Sequence, residues 1–256
     1  MTPATVENIL DVSIVIPCYQ EEKHLQQSVM AIHELLKHTD YKFEMIFVDD
    51  CSMDKTREVI LKITDHFPNI RYIFHETNIG RAGAFLNGVN IACGKYVGFL
   101  DIDLEVSCVY LMRVLAELEK GADVVIIKRH YALAPSFSFV LRHILSVGYK
   151  YLIQEYLGIP RMDTETGFKF FNRKRLLELS DRTHNKKWFF DTEVMVIAYL
   201  NKYRIKEVDG LFLRRHDKTS TVKVVKDSID YLKELRKFKK RLKNNNLLRN
   251  SFYTFT

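Results

Sequence analysis

Short apolar runs in the first half of this chain alternate with segments of helical spacing, and three of the runs break directly into acidic residues. Val12-Ser13-Ile14-Val15-Ile16-Pro17 gives way to Tyr19, Glu21 and Glu22. Phe43–Val48 gives way to Asp49 and Asp50, and Tyr96–Leu100 to Asp101 and Asp103. Apolar runs of this length between polar breaks read as strands buried on both faces. Further strands are predicted over 70–74 and 123–128. Between the strands, helical spacing predicts helices over 21–37, 55–66, 81–92 and 107–120; the first carries Leu25, Val29, Ile32, Leu35 and Leu36 on one side. Strands alternating with helices predict an α/β fold: a doubly wound, mostly parallel sheet. In such a sheet the loops after the strands share one edge, where open α/β sheets bind ligands. Tyr19–Glu21, Asp49–Asp54 and Asp101–Glu105 are therefore expected to line one crevice.

Paired carboxylates repel unless a cation lies between them. Hard divalent ions such as Mg²⁺ and Mn²⁺ take oxygen ligands and often share them with phosphates. Asp101-Ile102-Asp103 thus points to a metal-held diphosphate, although two solvated loop carboxylates would read the same alone. The formal charge of +7 and pI near 9.1 favour anionic partners. Acidic clusters at three strand ends weigh against nucleic acid, whose backbone is drawn to Lys and Arg. Cys18, Cys51, Cys93 and Cys108 follow no metal-binding spacing and read as free thiols. No signal peptide and no spanning helix are expected, so the chain is expected in the cytoplasm, free or peripheral on the cytosolic membrane face.

Past Arg129 the pattern changes. Phe137–Ile159 is predicted to be a very apolar helix with one polar stripe of Ser138, Arg142, Ser146, Lys150 and Gln154. Such a helix either packs on the core or rests on a membrane surface or lipid groove. Met162–Arg173 forms a second motif region, and Trp188–Glu193 opens a further helix with Asp191 at its N-cap. A strand over 204–213 leads to the basic run Arg214–Lys218. The tail helix, 227–243, places Ile229, Leu232, Leu235, Phe238 and Leu242 at helical spacing among many basic residues, which suits either packing on the body or an anionic membrane face. Residues 244–256 are expected to fray. The expected division is a catalytic domain over 1–220, with a donor half near 12–128 and an acceptor half near 129–220, followed by a basic amphipathic helix and tail over 221–256.

The motifs Ser13–Glu22, Val48–Asp54, Asn78-x-Gly80-Arg81 with Ala84-x-x-Asn87-Gly88, and Asp101-Ile102-Asp103 resemble, in order and spacing, those of family 2 inverting glycosyltransferases with the GT-A (Rossmann-like) fold. Asp163–Arg173 and Trp188–Glu193 resemble the polyprenyl-phosphate sugar transferases, which include dolichyl-phosphate glucose and mannose synthases. That resemblance implies residue roles. Pro17, Tyr19, Glu21, Asp49, Asp50, Arg81, Asp101 and Asp103 would bind the nucleotide sugar. Asp101, Asp103 and Glu105 would serve a Mg²⁺ or Mn²⁺. Arg129 and Arg215 would hold an acceptor phosphate, with Asp163 and Asp103 at the catalytic centre. Arg142, read from its place on the predicted helix, joins the acceptor group.

A hydroxyl acceptor needs a general base near neutral pH. A lipid phosphate is already anionic and needs cations beside it, for which arginine's fork and permanent charge are suited. The expected function is therefore metal-dependent transfer of a hexose from a UDP- or GDP-sugar to a polyprenyl phosphate. The alternatives are transfer to a hydroxyl of a glycan or small molecule, with Asp163 as base, and a binding module without catalysis.

Overall fold

A computed structural model describes residues 10–131, 137–213 and 224–244. Among these, seven strands form one sheet: β1 (Val12–Cys18), β2 (Phe43–Asp49), β3 (Ile70–Phe74), β4 (Tyr96–Leu100), β5 (Val124–Tyr131), β6 (Phe168–Asn172) and β7 (Ile205–Phe212). Their order is β3-β2-β1-β4-β6-β5-β7. The helices are α1 (Leu25–Lys37), α2 (Thr56–His66), α3 (Arg81–Ile91), α4 (Tyr110–Glu119), α5 (Phe137–Leu157), α6 (Arg173–Ser180), α7 (Phe190–Leu200) and α8 (Val224–Asn244).

Alternate strand residues feed two cores, as a pleat of period two requires. Ile14, Ile16, Met45, Phe47, Val125 and Ile127 face α1, α2 and α4. Val15, Ile46, Val48, Val124 and Ile126 face α3 and α5 to α8. The sheet is thus doubly wound, as its sequence pattern predicts.

One strand breaks the parallel order. β6 runs antiparallel to both β4 and β5, while the remaining pairs are parallel. Periodicity does not announce it, because Phe-Lys-Phe-Phe-Asn carries a lysine at its second position. Its reversal has a direct consequence. The start of β6 lies at the carboxyl edge of the sheet, where Phe168 pairs with Leu100. The segment Asp163–Gly167 is therefore delivered to the edge that carries Asp49 and Asp101.

Three local differences from the predicted elements have plain causes. α1 begins at Leu25 because the backbone before it is held by the neighbouring loop: Glu21 N donates to Thr56 Oγ1 at 2.8 Å and Glu22 N to Asp54 Oδ2 at 3.3 Å. α4 begins at Tyr110, after a tight turn closed by Leu111 N on the Cys108 carbonyl. α8 buries Leu235, Phe238 and Leu242 against the α5–α7 core, whereas Ile229 and Leu232 remain exposed. No helix among the described residues is long and apolar enough to cross a membrane. All four cysteines are free thiols.

β6 fits between its neighbours only because Gly98 of β4 stands opposite Phe170. A Cβ at Gly98 would overlap the Lys169 carbonyl oxygen and the Phe170 ring. One of these is backbone and cannot turn away. Gly98→Ala is expected to cost about 3 kcal/mol, measured as a loss of unfolding free energy in urea.

Candidate active site

Two hairpin-like loops build the first wall of the crevice. Asp50 N donates to the Cys18 carbonyl at 2.9 Å, and Gln20 N to Ser52 Oγ at 2.9 Å, so the ends of β1 and β2 are tied together. Gln20 and Cys51 both adopt positive φ, which turns the chain sharply at this edge. β1 runs one residue past Pro17, to Cys18, and Tyr19 stands exposed beyond it.

Asp49 is wholly buried. Its Oδ2 accepts from Arg57 Nε at 2.7 Å and from Ser52 N at 3.2 Å. Its Oδ1 is buried with no hydrogen-bond partner. Buried acceptors are nearly always satisfied, so an orphan oxygen at a ligand edge marks a place for an N–H or O–H donor. Asp50 does different work. It accepts from Ile79 N (2.9 Å), Gly80 N (2.8 Å) and His75 Nδ1 (2.9 Å), which pins the 75–80 loop and the start of α3.

That start carries Arg81. Its guanidinium spans two carboxylates, with Nη2 on Asp101 Oδ1 at 2.7 Å and Nη1 on Asp191 Oδ2 at 2.8 Å. It lies over the Phe99 ring at 4.6 Å and the Trp188 ring at 5.6 Å. Burial opposes its charge, but Asp101 and Asp191 outweigh that and hold it firmly protonated. The other Asp191 oxygen accepts from Lys169 Nζ at 2.7 Å. Lys169 is fully buried and also donates to the Thr166 carbonyl. Burial lowers its pKa, and Asp191 opposes the shift.

Asp191 therefore does not cap α7. The N-cap is Phe189, and the Asp191 side chain points to Lys169 and Arg81. Local capping preference gives way here to a buried countercharge. Sequence reasoning missed Lys169 and Asp191 as members of the site, although both lie in the motifs Phe168-Lys169-Phe170-Phe171 and Trp188-Phe189-Phe190-Asp191.

Asp101 stands half-exposed at the mouth. Its backbone N donates to the Gly167 carbonyl at 2.9 Å, and a Cβ at Gly167 would collide with its carboxylate. Asp103 accepts from Glu105 N at 3.3 Å, and the Glu105 carbonyl accepts from Leu213 N at 2.7 Å, just past β7. Asp101, Asp103 and Glu105 thus share one loop beside the ends of β4 and β7.

Four residues before Gly167, the buried Asp163 is clamped by cations. Arg129 at the end of β5 grips it with Nε on Oδ2 at 3.0 Å and Nη2 on Oδ1 at 2.8 Å. Lys150 of α5 adds a contact at 3.0 Å. Burial alone would raise the Asp163 pKa, but Arg129 and Lys150 outweigh it and hold the carboxyl well below the usual range. The structure thus brings Arg129 and Asp163 together. The side chain of Arg142 and the whole of Arg215 lie outside the described residues, as does the basic run 214–218.

Glu165 was also not anticipated. It is part-buried among Arg129, Lys150, Asp163 and Asp191. Burial, with help from the two aspartates, pushes its pKa up to about 7 against the pull of the cations. The phenols of Tyr149 and Tyr231, themselves part-buried, feel its charge.

A raised carboxyl pKa stabilises the folded protein while it is protonated. The unfolded chain releases this proton near pH 4.5 and the folded chain near 7, so stability falls between those values as pH rises. Glu165→Gln should remove that loss. It is expected to match the wild type at pH 4.5 and exceed it by about 1–3 kcal/mol at pH 8, read by denaturation at both values.

The chain is 31% identical over 211 residues to a dolichyl-phosphate beta-glucosyltransferase of Trichomonas vaginalis, covering 77% of this chain and 64% of that protein. It is 28% identical over 220 residues to the dolichyl-phosphate beta-glucosyltransferase of Saccharomyces cerevisiae, covering 77% and 65%. The chain thus spans slightly under two thirds of the length of these relatives. Its fold matches, with a TM-score of 0.64 and 18% identity, glucosyl-3-phosphoglycerate synthase of Mycobacterium tuberculosis in complex with uridine diphosphate, over 90% of this chain and 80% of that one. The sheet and its flanking helices are therefore of the GT-A, Rossmann-like type. The family model for glycosyl transferase family 2 matches residues 13–179, from the first strand through the reversed strand to α6, and the chain belongs to that family.

Proposed function

We propose that this chain transfers a hexose, with inversion, from a nucleoside-diphosphate sugar to a polyprenyl monophosphate. The observation that carries the acceptor reading is the state of Asp163. A general base works best with a pKa near the operating pH. Asp163 is buried, gripped by Arg129 and Lys150 and held ionised far below that range. It is a poor proton acceptor and a good anchor for two cations. An acceptor that is already anionic needs no base, and two cations against one carboxylate leave a net positive charge to receive it. The similarity to dolichyl-phosphate beta-glucosyltransferases supports the same acceptor and makes glucose the first sugar to test.

The orphan Asp49 Oδ1 supports a uracil donor, since one buried acceptor suits the single ring N–H of that base. Arg57 keeps the other oxygen occupied, so the orphan one is held in place.

Asp101 and Asp103 fit a divalent ion. Asp101 is half-exposed, its carboxylate rests where Gly167 leaves room, and no group of three or more ligating side chains surrounds it among the described residues. Mg²⁺ characteristically takes one or two carboxylates and completes its shell with substrate phosphates and water. When bound, such an ion would offset the charge that develops on the leaving diphosphate. Arg81 stands beside Asp101 and can face the same phosphates. Trp188, over Arg81, and the aromatic floor at Phe99 keep water from one side of the guanidinium.

The outward face of α8 carries Lys233, Arg236, Lys237, Lys240 and Lys243 with the exposed Ile229 and Leu232. That composition supports peripheral contact with an anionic membrane face, which would bring the site to its lipid.

A second reading has its own observation. Glu165, not Asp163, titrates near neutrality beside the acceptor end, and it could serve as base for a hydroxyl acceptor. The decisive assay measures nucleoside diphosphate release from UDP-glucose with Mg²⁺ or Mn²⁺, using undecaprenyl or dolichyl phosphate in one arm and soluble saccharides in the other. Release confined to the lipid-phosphate arm and abolished by EDTA is expected. Asp101→Asn should lower kcat by about 10²-fold or more, and Arg129→Lys should raise KM for the lipid phosphate. Product only with saccharides, lost in Glu165→Gln, would transfer the assignment to the second reading.

A further inference from the structure

Asp101 is not alone in holding Arg81 in place. Its Nη1 is held by Asp191 at 2.8 Å, and Asp191 is held from below by the fully buried Lys169 at 2.7 Å. The guanidinium plane is further bracketed by Phe99 and Trp188. Asp101, by contrast, is half-exposed and contributes only the last contact of the chain, at 2.7 Å. The order is Lys169, Asp191, Arg81, Asp101: cation, anion, cation, anion.

A carboxylate oxygen engaged by a guanidinium is a poorer ligand for a metal ion. The ion must share or displace the guanidinium, and it approaches a like charge in doing so. We propose that Arg81 guards Asp101, so that a divalent cation is captured there only together with an anionic diphosphate. The diphosphate supplies oxygens to the cation and a replacement counter-ion to the guanidinium. Lys169 and Asp191 act as positioning residues for the guard. The proposal rests on the reading of Asp101 as the donor-diphosphate anchor and adds the order in which that site fills. It also accords with the absence of a preformed three-ligand cluster among the described residues.

Coupling of this kind is reciprocal: diphosphate and cation raise each other's affinity by one factor. The test is Mn²⁺ binding to the full chain, followed by the paramagnetic resonance of free Mn²⁺, with and without UDP and with no acceptor or turnover. Wild type is expected to bind Mn²⁺ weakly alone and about tenfold or more tightly with UDP. Arg81→Gln should bind Mn²⁺ alone about tenfold more tightly than wild type, with the UDP enhancement reduced accordingly. Asp191 keeps Lys169 in this variant, so the buried pair survives. Arg81→Lys keeps the charge but cannot span both carboxylates, so it too should bind Mn²⁺ alone more tightly than wild type. If Arg81→Gln binds Mn²⁺ no better than wild type while UDP still enhances binding in both, the guard is wrong and the donor site stands. If Arg81→Lys behaves as wild type and only Arg81→Gln changes, the effect is charge alone and the bridging guard is overturned. If no form binds Mn²⁺ even with UDP, the donor-site reading fails along with the guard.

Discussion

Lys169 is charged, central and wholly removed from water. Burying an ammonium costs several kcal/mol unless a countercharge and hydrogen bonds meet it. Asp191 and the Thr166 carbonyl meet it. Asp191 is then a buried carboxylate with one oxygen to spare, and Arg81 takes it. Arg81 in turn reaches the one member of the set that stands at the surface, Asp101. The requirement to neutralise one buried lysine therefore propagates across β6, α7 and α3 to the loop after β4. It sets the orientation of the side chain nearest the expected diphosphate. Apolar residues in place of the whole buried set would be cheaper for stability alone, whereas removing Lys169 by itself would take the countercharge from one Asp191 oxygen.

The same edge carries two electrostatic regimes a few residues apart. On one side Asp49 and Asp50 lie at a strand end, with Asp49 leaving one buried oxygen unused. On the other, Arg129 and Lys150 close on Asp163. Gly167 joins them, because its carbonyl accepts from Asp101 N and its missing Cβ admits the Asp101 carboxylate. A bulkier residue there would separate the halves. The short segment from Asp163 to Gly167 thus works as a hinge of chemistry rather than of motion. It begins at Arg129 and Lys150, passes the neutral-range carboxyl Glu165, and ends against the Asp101 carboxylate.

Much of this was legible in the sequence, and the rest was hidden for identifiable reasons. The central strands β1, β2 and β4 and the first half of β5 are apolar runs, because strands covered on both faces have no polar side to show. The convergence of Tyr19, Asp49 and Asp101 followed from parallel order alone. β6 escaped because burial of Lys169 depends on Asp191, 22 residues away, and no local rule prices a lysine by a distant partner. The cap assigned to Asp191 failed for the same reason: a local preference worth about 1 kcal/mol yields to a buried ion pair. Resemblance to known motifs named Arg129 and Asp163 but not their bond. The bond makes Asp163 a buried counter-ion for two cations and holds it ionised.

Glu165 shows how far composition can mislead about reactivity. Asp163 and Glu165 are both acidic, two residues apart, and indistinguishable by spacing. Their environments drive them in opposite directions: a bidentate arginine holds one ionised, and burial brings the other up to about 7. Paired titratable groups with pKa values pushed apart are how one site separates a fixed charge from a mobile proton. Here the fixed charge orders Arg129 and Lys150. The mobile proton bears on the same pair, because ionising Glu165 would set a second negative charge beside them. With Glu165 protonated, Arg129 and Lys150 outnumber the charge of Asp163; with it ionised, the four groups balance to zero. An anion placed beside these groups would favour the protonated form, so this part of the crevice responds to pH, while Arg81 and Asp101 answer to the buried chain from Lys169.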